Sequence, residues 1–578
     1  MIGAQGTVAV MSEAPSDAQV ESAAPDGNPI DGHGGVHAVA AATDHGVQTM
    51  FTLSGAHVFP LYDAAVGGAT GAGPLRLVDV RHESTAVFAA EGTAKLTRTP
   101  GLAVVTAGPG VTNAVSGVTS ALFNGSPIVV VGGRAPAFRW GTGALQEFDH
   151  VPLLAPITKR ATTVSDPAQL YGEFDSAFTL ANSPHRGPVF LDVPMDVLFS
   201  HASAPRTATA HRTRVPAATG DLEQIAELLA NAERPVVVLG SDVWNDDAIE
   251  AARRFVETLA LPTIPNGMGR GILQPSNSLL ATGARGAAFG GADVVVVVGA
   301  PLDFRLGYGV FGGKDGNAPA KVVHIVDAAD QLAGHVALAA SAAGDLTSVL
   351  DGIRTAWEAL PHVDHAVWNA NLADLSSASR AKTAAEMAAD ADPIHPARIY
   401  GELLPRLADD AVVIGDGGDF VSFAGRYIEP AQPGCWMDPG PFGCLGTGLG
   451  YAIAARIARP SSQVVLLFGD GAAGFSLMDV DTLVRHNLPV VMIVGNNGTW
   501  GLEKHPMQFL YGYDVAAELQ SGLSYDGVVR ALGGAGETVT TPADIGEAID
   551  RAFASGVPYL VNVITDPAVA YPRTTTGI

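Results

Sequence analysis

Cysteine is nearly absent from this sequence, which has Cys435 and Cys444 and no others. Two cysteines cannot supply a disulfide framework or a four-cysteine zinc site, so we expect a reducing, cytoplasmic environment. Charge is also scarce, at 16% of residues, and 33 basic against 58 acidic residues give a formal net charge of −25. Such a field repels polyanions and argues against a nucleic-acid partner, although backbone N–H groups can still hold a small phosphate.

Long apolar runs are missing too. The run VVVVVGA at 294–300 is far shorter than a membrane span and is typical of a buried strand, so no membrane association is expected. Residues 1–30 have no basic stretch before an apolar core, which argues against a secretory signal. Their alanine, serine, proline and acidic content predicts a flexible tail.

Apolar, β-branched runs alternate with helix-length segments along the chain, for example GLAVVTAG (101–108) and SQVVLLFGD (462–470). Continuous apolar strands separated by helices are typical of parallel sheets covered on both faces, so the fold class is α/β, doubly wound. Two stretches, 200–221 and 376–396, have the composition of linkers. Together these features predict three parallel-sheet domains, over 31–200, 220–375 and 393–565, followed by a short C-terminal tail, 566–578.

A paired motif stands out in the third domain. Gly469-Asp470-Gly471 closes one predicted strand, and Asn496-Asn497 closes the next after 24 intervening residues. Ligands of parallel α/β sheets bind outside the carboxyl ends of strands, where an Asp and an Asn offer hard oxygen ligands to Mg²⁺ or Ca²⁺. Each motif alone is also typical of an ordinary turn, and a second Gly-Asp-Gly at 415–417 has no Asn-Asn partner at a matching distance.

This paired motif resembles the diphosphate–metal signature of the thiamine diphosphate enzymes, in the group of acetohydroxyacid synthase, oxalyl-CoA decarboxylase and 2-hydroxyacyl-CoA lyase. The resemblance covers nearly the whole chain and implies thiamine diphosphate and Mg²⁺ as cofactors. It implies that Asp470, Asn497 and the backbone carbonyl of Thr499 bind the metal. Further cofactor contacts are expected, by the same resemblance, at Asp419, Phe420, Cys444, Leu445, Gly471, Ala472 and Gly501, with Leu445 wedging the cofactor into its bent shape.

The segment DVRHESTAVFAAEGTAKLTRTPGLAVVTAGPGVTN (79–113) resembles the pyrimidine-binding domain of the same family. The resemblance assigns Glu83 as the carboxyl group that shares a proton with the aminopyrimidine ring, and Asn113 as a cofactor contact. Without the family context, Glu83 would be interpreted as a helix-surface residue. The family pairs the first domain of one subunit with the third domain of another, which implies an obligate homodimer that assembles further into a homotetramer. The middle domain of some relatives holds FAD or ADP, and no clear motif for either is present here.

The resemblance leaves two reactions open. Gln146, Lys159 and Arg305 match positions of the synthases, which condense 2-ketoacids. The synthases, however, continue from Asn-Asn to a glutamine-tryptophan pair that this sequence lacks. Instead, WGLEKHPM (500–507) resembles actinobacterial-type lyases that cleave branched 2-hydroxyacyl-CoA, such as 2-hydroxyisobutyryl-CoA, to formyl-CoA and a ketone. The lyase is the favoured hypothesis, with an acetolactate synthase-like carboligase as the alternative.

Lyase chemistry requires a base for the substrate hydroxyl, and Glu503 follows directly after the metal loop. We expect it to be buried, with a raised pKa; the alternative is a solvated loop residue paired with Lys504. Expected substrate contacts are His57, Gln146, Arg285, Trp500 and Tyr571. His57 is equally compatible with a structural role, and for Arg285 a surface position is the favoured alternative. Residues after Asp566 are expected to fold over the site as a lid, or else to form a disordered terminus.

Overall fold

The structure is a computed structural model that describes residues 29–68, 73–206 and 219–571, without the side chains of residues 219, 220 and 315. The predicted tail over 1–30 and the end of the predicted lid therefore lie almost entirely outside the described residues. Three parallel sheets with flanking helices follow one another along the chain, which confirms the predicted α/β class. No helix in the described ranges is long and apolar enough to cross a membrane.

The N-terminal sheet has six parallel strands in the order β3-β2-β4-β5-β7-β6, and β1 pairs antiparallel with β8 beside it. Its buried valine- and leucine-rich strands carry helices on both faces, as expected for such sequences. The strands are β1 Ile30–His33, β2 Thr49–Thr52, β3 Arg76–Asp79, β4 Gly101–Val105, β5 Ile128–Arg134, β6 Arg160–Thr163, β7 Val189–Pro194 and β8 His201–Ala204. The helices are α1 Gly34–Asp44, α2 Phe59–Val66, α3 Glu83–Thr97, α4 Pro109–Phe123, α5 His150–Leu154, α6 Leu170–Asn182 and α7 Met195–Phe199.

The middle sheet has five parallel strands in the order β10-β9-β11-β12-β13. They are β9 Pro235–Leu239, β10 Thr263–Pro265, β11 Val294–Val298, β12 Lys321–Val326 and β13 Leu338–Ala343. The helices are α8 Thr219–Ala230, α9 Ser241–Asn245, α10 Ile249–Thr258, α11 Arg285–Gly291, α12 Leu346–Glu358 and α13 Ala366–Met387. Helix α13 corrects the linker predicted over 376–396, because its alanine-rich sequence continues as helix to Met387.

The C-terminal sheet has six parallel strands in the order β15-β14-β16-β17-β19-β18. They are β14 Val412–Asp416, β15 Trp436–Met437, β16 Val464–Gly469, β17 Val491–Asn496, β18 Ala535–Val539 and β19 Tyr559–Ile564. The helices are α14 Ala397–Leu403, α15 Gly418–Tyr427, α16 Thr447–Ala458, α17 Asp470–Ser476, α18 Val480–Arg485, α19 Gly501–Tyr511, α20 Tyr525–Ala531 and α21 Ile545–Ala554. Helices α15, α17 and α19 all begin at the carboxyl edge of this sheet, directly after β14 and β16 and close after β17.

Helix α3 joins the N-terminal and C-terminal domains, because it packs closely against α16. A Cβ on Gly92 would lie 2.9 Å from the Cβ of Ala454, and one on Gly450 would lie 2.6 Å from the Cβ of Phe88. The first turn of α3 is held by Asp479, whose carboxylate accepts from the Thr85 hydroxyl at 2.7 Å. These contacts fix the start of α3, where Glu83 lies.

Candidate active site

Asp470 ties two neighbouring strand ends of the C-terminal sheet together. It is 3% exposed, and its carboxylate accepts from the Gly471 N–H at 3.0 Å and from the Gly498 N–H at 2.7 Å. Gly498 belongs to the loop after β17, so the Gly-Asp-Gly and Asn-Asn motifs meet, as their spacing predicts. Burial raises the pKa of Asp470 to about 6, because the two N–H groups only partly replace the lost water. A cation at this carboxylate would offset that cost.

The other Gly-Asp-Gly, at 415–417, has a structural role. Asp416 is fully buried, and its two oxygens accept from the Gly446 N–H at 3.1 Å and the Gly448 N–H at 2.9 Å. Both oxygens are thus used at the start of α16, where backbone N–H groups lack partners within the helix. Asp416 therefore holds α16 in place, while Asp470 faces the loop after β17.

The loop after β17 offers further oxygen donors beside Asp470. The side-chain oxygen of Asn497 accepts from the Thr499 N–H at 3.1 Å, which folds the loop back on itself. Thr499 and Glu518 face each other in an isolated β-bridge. Its two hydrogen bonds run from the Trp500 N–H to the Ala517 carbonyl and from the Leu519 N–H to the Gly498 carbonyl, so neither uses the Thr499 carbonyl. A carboxylate, an amide oxygen and a backbone carbonyl form a hard donor set that fits Mg²⁺.

Close backbone approaches shape the space around these donors. A Cβ on Gly471 would lie 2.4 Å from the Trp500 ring, and one on Gly501 would lie 2.3 Å from the Asp419 carboxylate. Ala472 is buried beside Gly417, since a Cβ on that glycine would lie 2.5 Å from the Ala472 Cβ. The starts of α15, α17 and α19 are therefore tightly packed around one point, where their N–H groups favour an anion such as a diphosphate.

Three of the expected cofactor contacts, Leu445, Phe420 and Cys444, have different surroundings. Leu445 lies at the cleft, with its Cδ2 3.0 Å from where a Gly417 Cβ would be. Phe420 is 3% exposed, and its ring packs against Gly495 of β17, in the space that a side chain at that position would fill. Its side chain therefore belongs to the core. Cys444 donates to the Ser116 carbonyl at 3.6 Å, and burial raises the pKa of its thiol to about 11, so it is not a reactive thiolate.

Glu83 begins α3 and is 6% exposed. Its carboxylate accepts from the Asn113 side-chain amide at 3.0 Å, and the Ser84 hydroxyl donates to the Asn113 carbonyl at 2.6 Å. The structure thus brings Glu83 and Asn113 together, across α3 and α4. A buried carboxylate held by a neutral amide keeps one oxygen for a ligand.

A cleft of about 530 Å³ runs between the middle and C-terminal domains, and Trp500, which follows the metal loop, is part of its lining. Glu503 lies on its wall in the first turn of α19 but is exposed, so the expected burial of this carboxylate is wrong within the described chain. The reason is that the first turn of α19 faces the open cleft. The neighbouring Lys504 binds Glu518 at 2.5 Å. Lining residues include Arg270, Arg285, Phe304, Arg305, Leu445, Trp500, Leu502 and Glu503.

Three arginines of the middle domain, Arg270, Arg285 and Arg305, line this cleft. Arg285 donates to the Arg305 carbonyl at 2.6 Å and lies over the Phe289 ring at 4.7 Å, which corrects its interpretation as a surface residue. Burial lowers its pKa to about 10, and Tyr571 lies near enough to oppose that shift. Arg305 pairs with Asp303 at 2.7 Å. The predicted lid beyond Tyr571 lies outside the described residues.

His57 and Gln146 meet at Thr106, on the carboxyl edge of the N-terminal sheet. The Nδ1 atom of His57 lies 3.0 Å from the Thr106 hydroxyl, which donates to the Gln146 side chain at 3.3 Å. Burial lowers the pKa of His57. Lys159 lies elsewhere, with its ammonium donating to the Ser183 carbonyl at 2.8 Å.

Sequence reasoning missed Thr106, as well as Arg270, which is 8% exposed and lies over Trp436 at 4.6 Å. Thr106 lies within the segment 79–113, in which no role was assigned to it, and Arg270 stands in no recognisable motif. The position of Thr106 directly after a buried strand was the one available signal.

Comparison with protein families accounts for this arrangement. The N-terminal, central and C-terminal domains of the thiamine pyrophosphate enzymes match residues 33–153, 222–353 and 416–563. The chain is a thiamine diphosphate enzyme. The Asp470 loop therefore belongs to the C-terminal cofactor-binding domain, and Glu83 belongs to the N-terminal one.

Named relatives of this thiamine diphosphate enzyme fall into two groups. Proteins named acetolactate synthase large subunit, from Mycobacterium tuberculosis, and probable acetolactate synthase, from Mycobacterium bovis, are 50% identical over 533 residues, which is 91% of this chain and 95% of theirs. The 2-hydroxyacyl-CoA lyase 2 of Homo sapiens is 33% identical over 549 residues, covering 87% of this chain and 84% of its own.

A second cleft, of about 480 Å³, lies at the carboxyl ends of β9 and β11 in the middle domain, the domain for which FAD or ADP was left open by the sequence. Its basic side chains are committed to ion pairs: His185 with Asp327 at 2.9 Å, and Arg305 with Asp303. Asp242 adds a further carboxylate to the wall. This set of side chains does not fit a diphosphate, and we assign no step to FAD or ADP.

Proposed function

We propose that this enzyme is a thiamine diphosphate-dependent 2-hydroxyacyl-CoA lyase that reversibly cleaves a substrate such as 2-hydroxyisobutyryl-CoA to formyl-CoA and acetone. The observation that carries the proposal is the 530 Å³ cleft, which is lined by Arg285 and, directly after the metal loop, by Trp500 and Glu503. A carboxylate beside the reacting carbon and basic groups farther out suit a hydroxyacyl thioester with an anionic tail.

The reaction needs no oxidant or second substrate. The hydroxyl O–H bond and the adjacent carbon–carbon bond break, a ketone forms, and a proton adds to the former acyl carbon to give the formyl group. Bound thiamine diphosphate supplies the electron sink at that carbon. We propose that Glu503 takes the hydroxyl proton, for which its position on the open wall gives it direct access.

The cofactors are assigned to residues of this chain. We propose that Asp470, Asn497 and the Thr499 carbonyl hold Mg²⁺, that the starts of α15, α17 and α19 hold the diphosphate, and that Leu445 supports the ring system. Glu83 would hold a proton on the aminopyrimidine. In each case the donor type matches the group it is proposed to bind.

Arg285 is proposed to bind the anionic part of the CoA substrate. Replacing it in Arg285→Ala is expected to raise KM for acyl-CoA about tenfold with kcat little changed, as for loss of a charge-assisted contact. Steady-state kinetics with acyl-CoA measures both constants. Arg354→Ala, on α12 and outside the cleft, is the matched control; equal KM for Arg285→Ala and the control would contradict the assignment.

An acetolactate synthase-like carboligase is the second candidate. It is supported by the names of the 50% identical mycobacterial relatives.

We also propose a homodimer that assembles further into a homotetramer. Phe123 and Phe442 are 52% and 41% exposed and stack on each other at 5.2 Å, and in the same C-terminal domain as Phe442 the side chains of Phe475 and Met478 are also exposed. Large exposed apolar side chains in neighbouring positions are typical of a surface covered by another subunit. Light scattering coupled to size exclusion measures the assembly, and a monomer would contradict it.

The experiment that tests the function uses purified protein with thiamine diphosphate and Mg²⁺. One portion receives 2-hydroxyisobutyryl-CoA and the other pyruvate, and acetone, formyl-CoA and acetolactate are followed together. Acetone and formyl-CoA in equal amounts are expected. Acetolactate alone would favour the carboligase and overturn the lyase.

A further inference from the structure

His150 is a fully buried side chain that the proposed chemistry does not use. It begins α5 and lies between two polar partners. Its Nε2 atom lies 2.9 Å from the Gly108 backbone N, and its Nδ1 atom lies 2.8 Å from the Asp192 carboxylate. Asp192 is also fully buried, at the end region of β7.

These partners fix the tautomer of the ring. A backbone N–H can only donate, so the Nε2 atom of His150 must accept from Gly108, and the ring proton must sit on Nδ1, where it donates to Asp192. The orientation of Asp192 is set in turn by Arg134, which pairs with its other oxygen, and by the Thr163 hydroxyl at 3.2 Å. Arg134, Asp192 and His150 therefore form a chain of hydrogen bonds that orients the His150 Nε2 atom as the acceptor for the Gly108 N–H.

Gly108 is the point on which two parts of the site depend. It has φ 57° and ψ −111° at the start of α4, and no side chain caps that helix. A Cβ on Gly108 would lie 2.9 Å from the Cβ of Gln146, so the turn and the Gln146 loop are in contact. One turn further on, α4 carries Asn113, which holds Glu83. The hydrogen bond from Gly108 to His150 therefore anchors both the turn against which Gln146 packs and the helix that holds Glu83.

We infer that His150, kept by Asp192 with its proton on Nδ1, is a positioning residue that sets the Gly108 turn for the reaction. The inference rests on the proposed function, because it takes Gln146 and Glu83 as parts of that active site. His150 does not touch the reacting atoms; it acts through the backbone of Gly108.

The first test compares two substitutions of His150. An amide has an acceptor and a donor about as far apart as the two ring nitrogens, so His150→Gln is expected to retain kcat/KM within about threefold. His150→Phe fills the space without either atom, and we expect kcat/KM to fall about tenfold or more, as for one lost buried hydrogen bond at the site. His37→Phe is the control, because His37 is also fully buried in this domain and bonds to the Ala202 carbonyl at 3.1 Å. Equal kcat/KM losses in His150→Phe and His37→Phe, or no rescue by His150→Gln, would overturn the inference.

The second test does not depend on which substrate the enzyme uses. In protein labelled with ¹⁵N-histidine, the resonance lost in His150→Gln identifies this ring, and its shifts are expected to show a proton on Nδ1 alone. In Asp192→Asn, Arg134 should hold the amide oxygen and turn the amide N–H toward His150, which reverses the tautomer, as when the carboxylate behind a catalytic histidine is made an amide. A proton on Nε2 of the wild-type ring would overturn the inference. Absence of acetone from the wild type would instead count against the lyase alone.

Discussion

Asp470→Asn is expected to weaken Mg²⁺ binding at least about 100-fold and to abolish turnover at physiological Mg²⁺. Loss of the carboxylate removes the charged member of the proposed donor set, and even partners one step outside a metal shell typically cost 10- to 100-fold in affinity. Titration of the metal in the presence of thiamine diphosphate measures the change. The amide keeps the size of the side chain and one acceptor for the Gly471 and Gly498 N–H groups, so the fold should survive.

Asp416→Asn is the matched control, since Asp416 also follows a strand of the same sheet and also accepts two N–H groups. We expect this variant to lose thermal stability, because α16 loses part of its anchor, while its Mg²⁺ affinity stays near that of the wild type. If both variants lost Mg²⁺ equally, or if Asp470→Asn bound Mg²⁺ normally, the metal site would lie elsewhere.

Because the pKa of Asp470 is raised, the free energy of unfolding of the metal-free protein should depend on pH through this group. Its folded pKa is about 6 against an ordinary 3.8, so between these values the folded chain binds more protons than the unfolded chain. The contribution of this group to the free energy of unfolding therefore falls as pH rises from about 4 to 6. Asp470→Asn should remove that fall. Chemical denaturation of both metal-free proteins at pH 5 and pH 7 measures it, and an unchanged difference between them would contradict the assigned pKa.

Glu503→Gln is expected to lower kcat for 2-hydroxyacyl-CoA cleavage by about 10²- to 10⁴-fold, the usual contribution of a general base, with thiamine diphosphate and Mg²⁺ still bound. The amide cannot take the hydroxyl proton, yet it fits the exposed position in α19 without strain. Cofactor titration and single-turnover kinetics separate binding from cleavage.

Glu518→Gln controls for loss of a nearby carboxylate, because Glu518 binds Lys504, the neighbour of Glu503, and lies 60% exposed. An exposed ion pair contributes at most about 1 kcal/mol, so kcat should change no more than about fivefold. A similar kcat in Glu503→Gln and Glu518→Gln would remove Glu503 from the proposed mechanism. An acetolactate synthase should also be less sensitive to Glu503, since its pyruvate substrate has no hydroxyl proton to remove.

The sequence was sufficient for the parts of the fold and site that depend on local pattern. Apolar runs between helix-length segments predicted parallel sheets, and strands ending in Gly-Asp-Gly and Asn-Asn predicted that Asp470 and the loop after Asn497 meet. That prediction succeeds because the carboxyl ends of adjacent parallel strands lie at one edge of the sheet. Helix α13 was missed because alanine-rich, polar sequence is compatible with either a linker or an exposed helix.

Features set by packing between distant segments were beyond the sequence. Asp416 and Asp470 stand in identical tripeptides, and only the position of α16 gives the first a structural role. The exposure of Glu503 follows from the direction in which α19 leaves the loop, and the burial of Arg285 follows from its packing on Phe289 and its bond to the Arg305 carbonyl. The link from Asp192 through His150 to Gly108 joins residues that are up to 84 positions apart, and no local motif marks it.

The most direct measurement of the central claim is cleavage of 2-hydroxyisobutyryl-CoA in D₂O, with the products analysed by mass spectrometry. If the carbon–carbon bond breaks so that its electron pair stays with the acyl carbon, the formyl-CoA should carry one deuterium at the formyl carbon, and the acetone formed with it should carry none from the reaction. Formyl-CoA without deuterium, or no formyl-CoA from the holoenzyme, would contradict the proposed lyase.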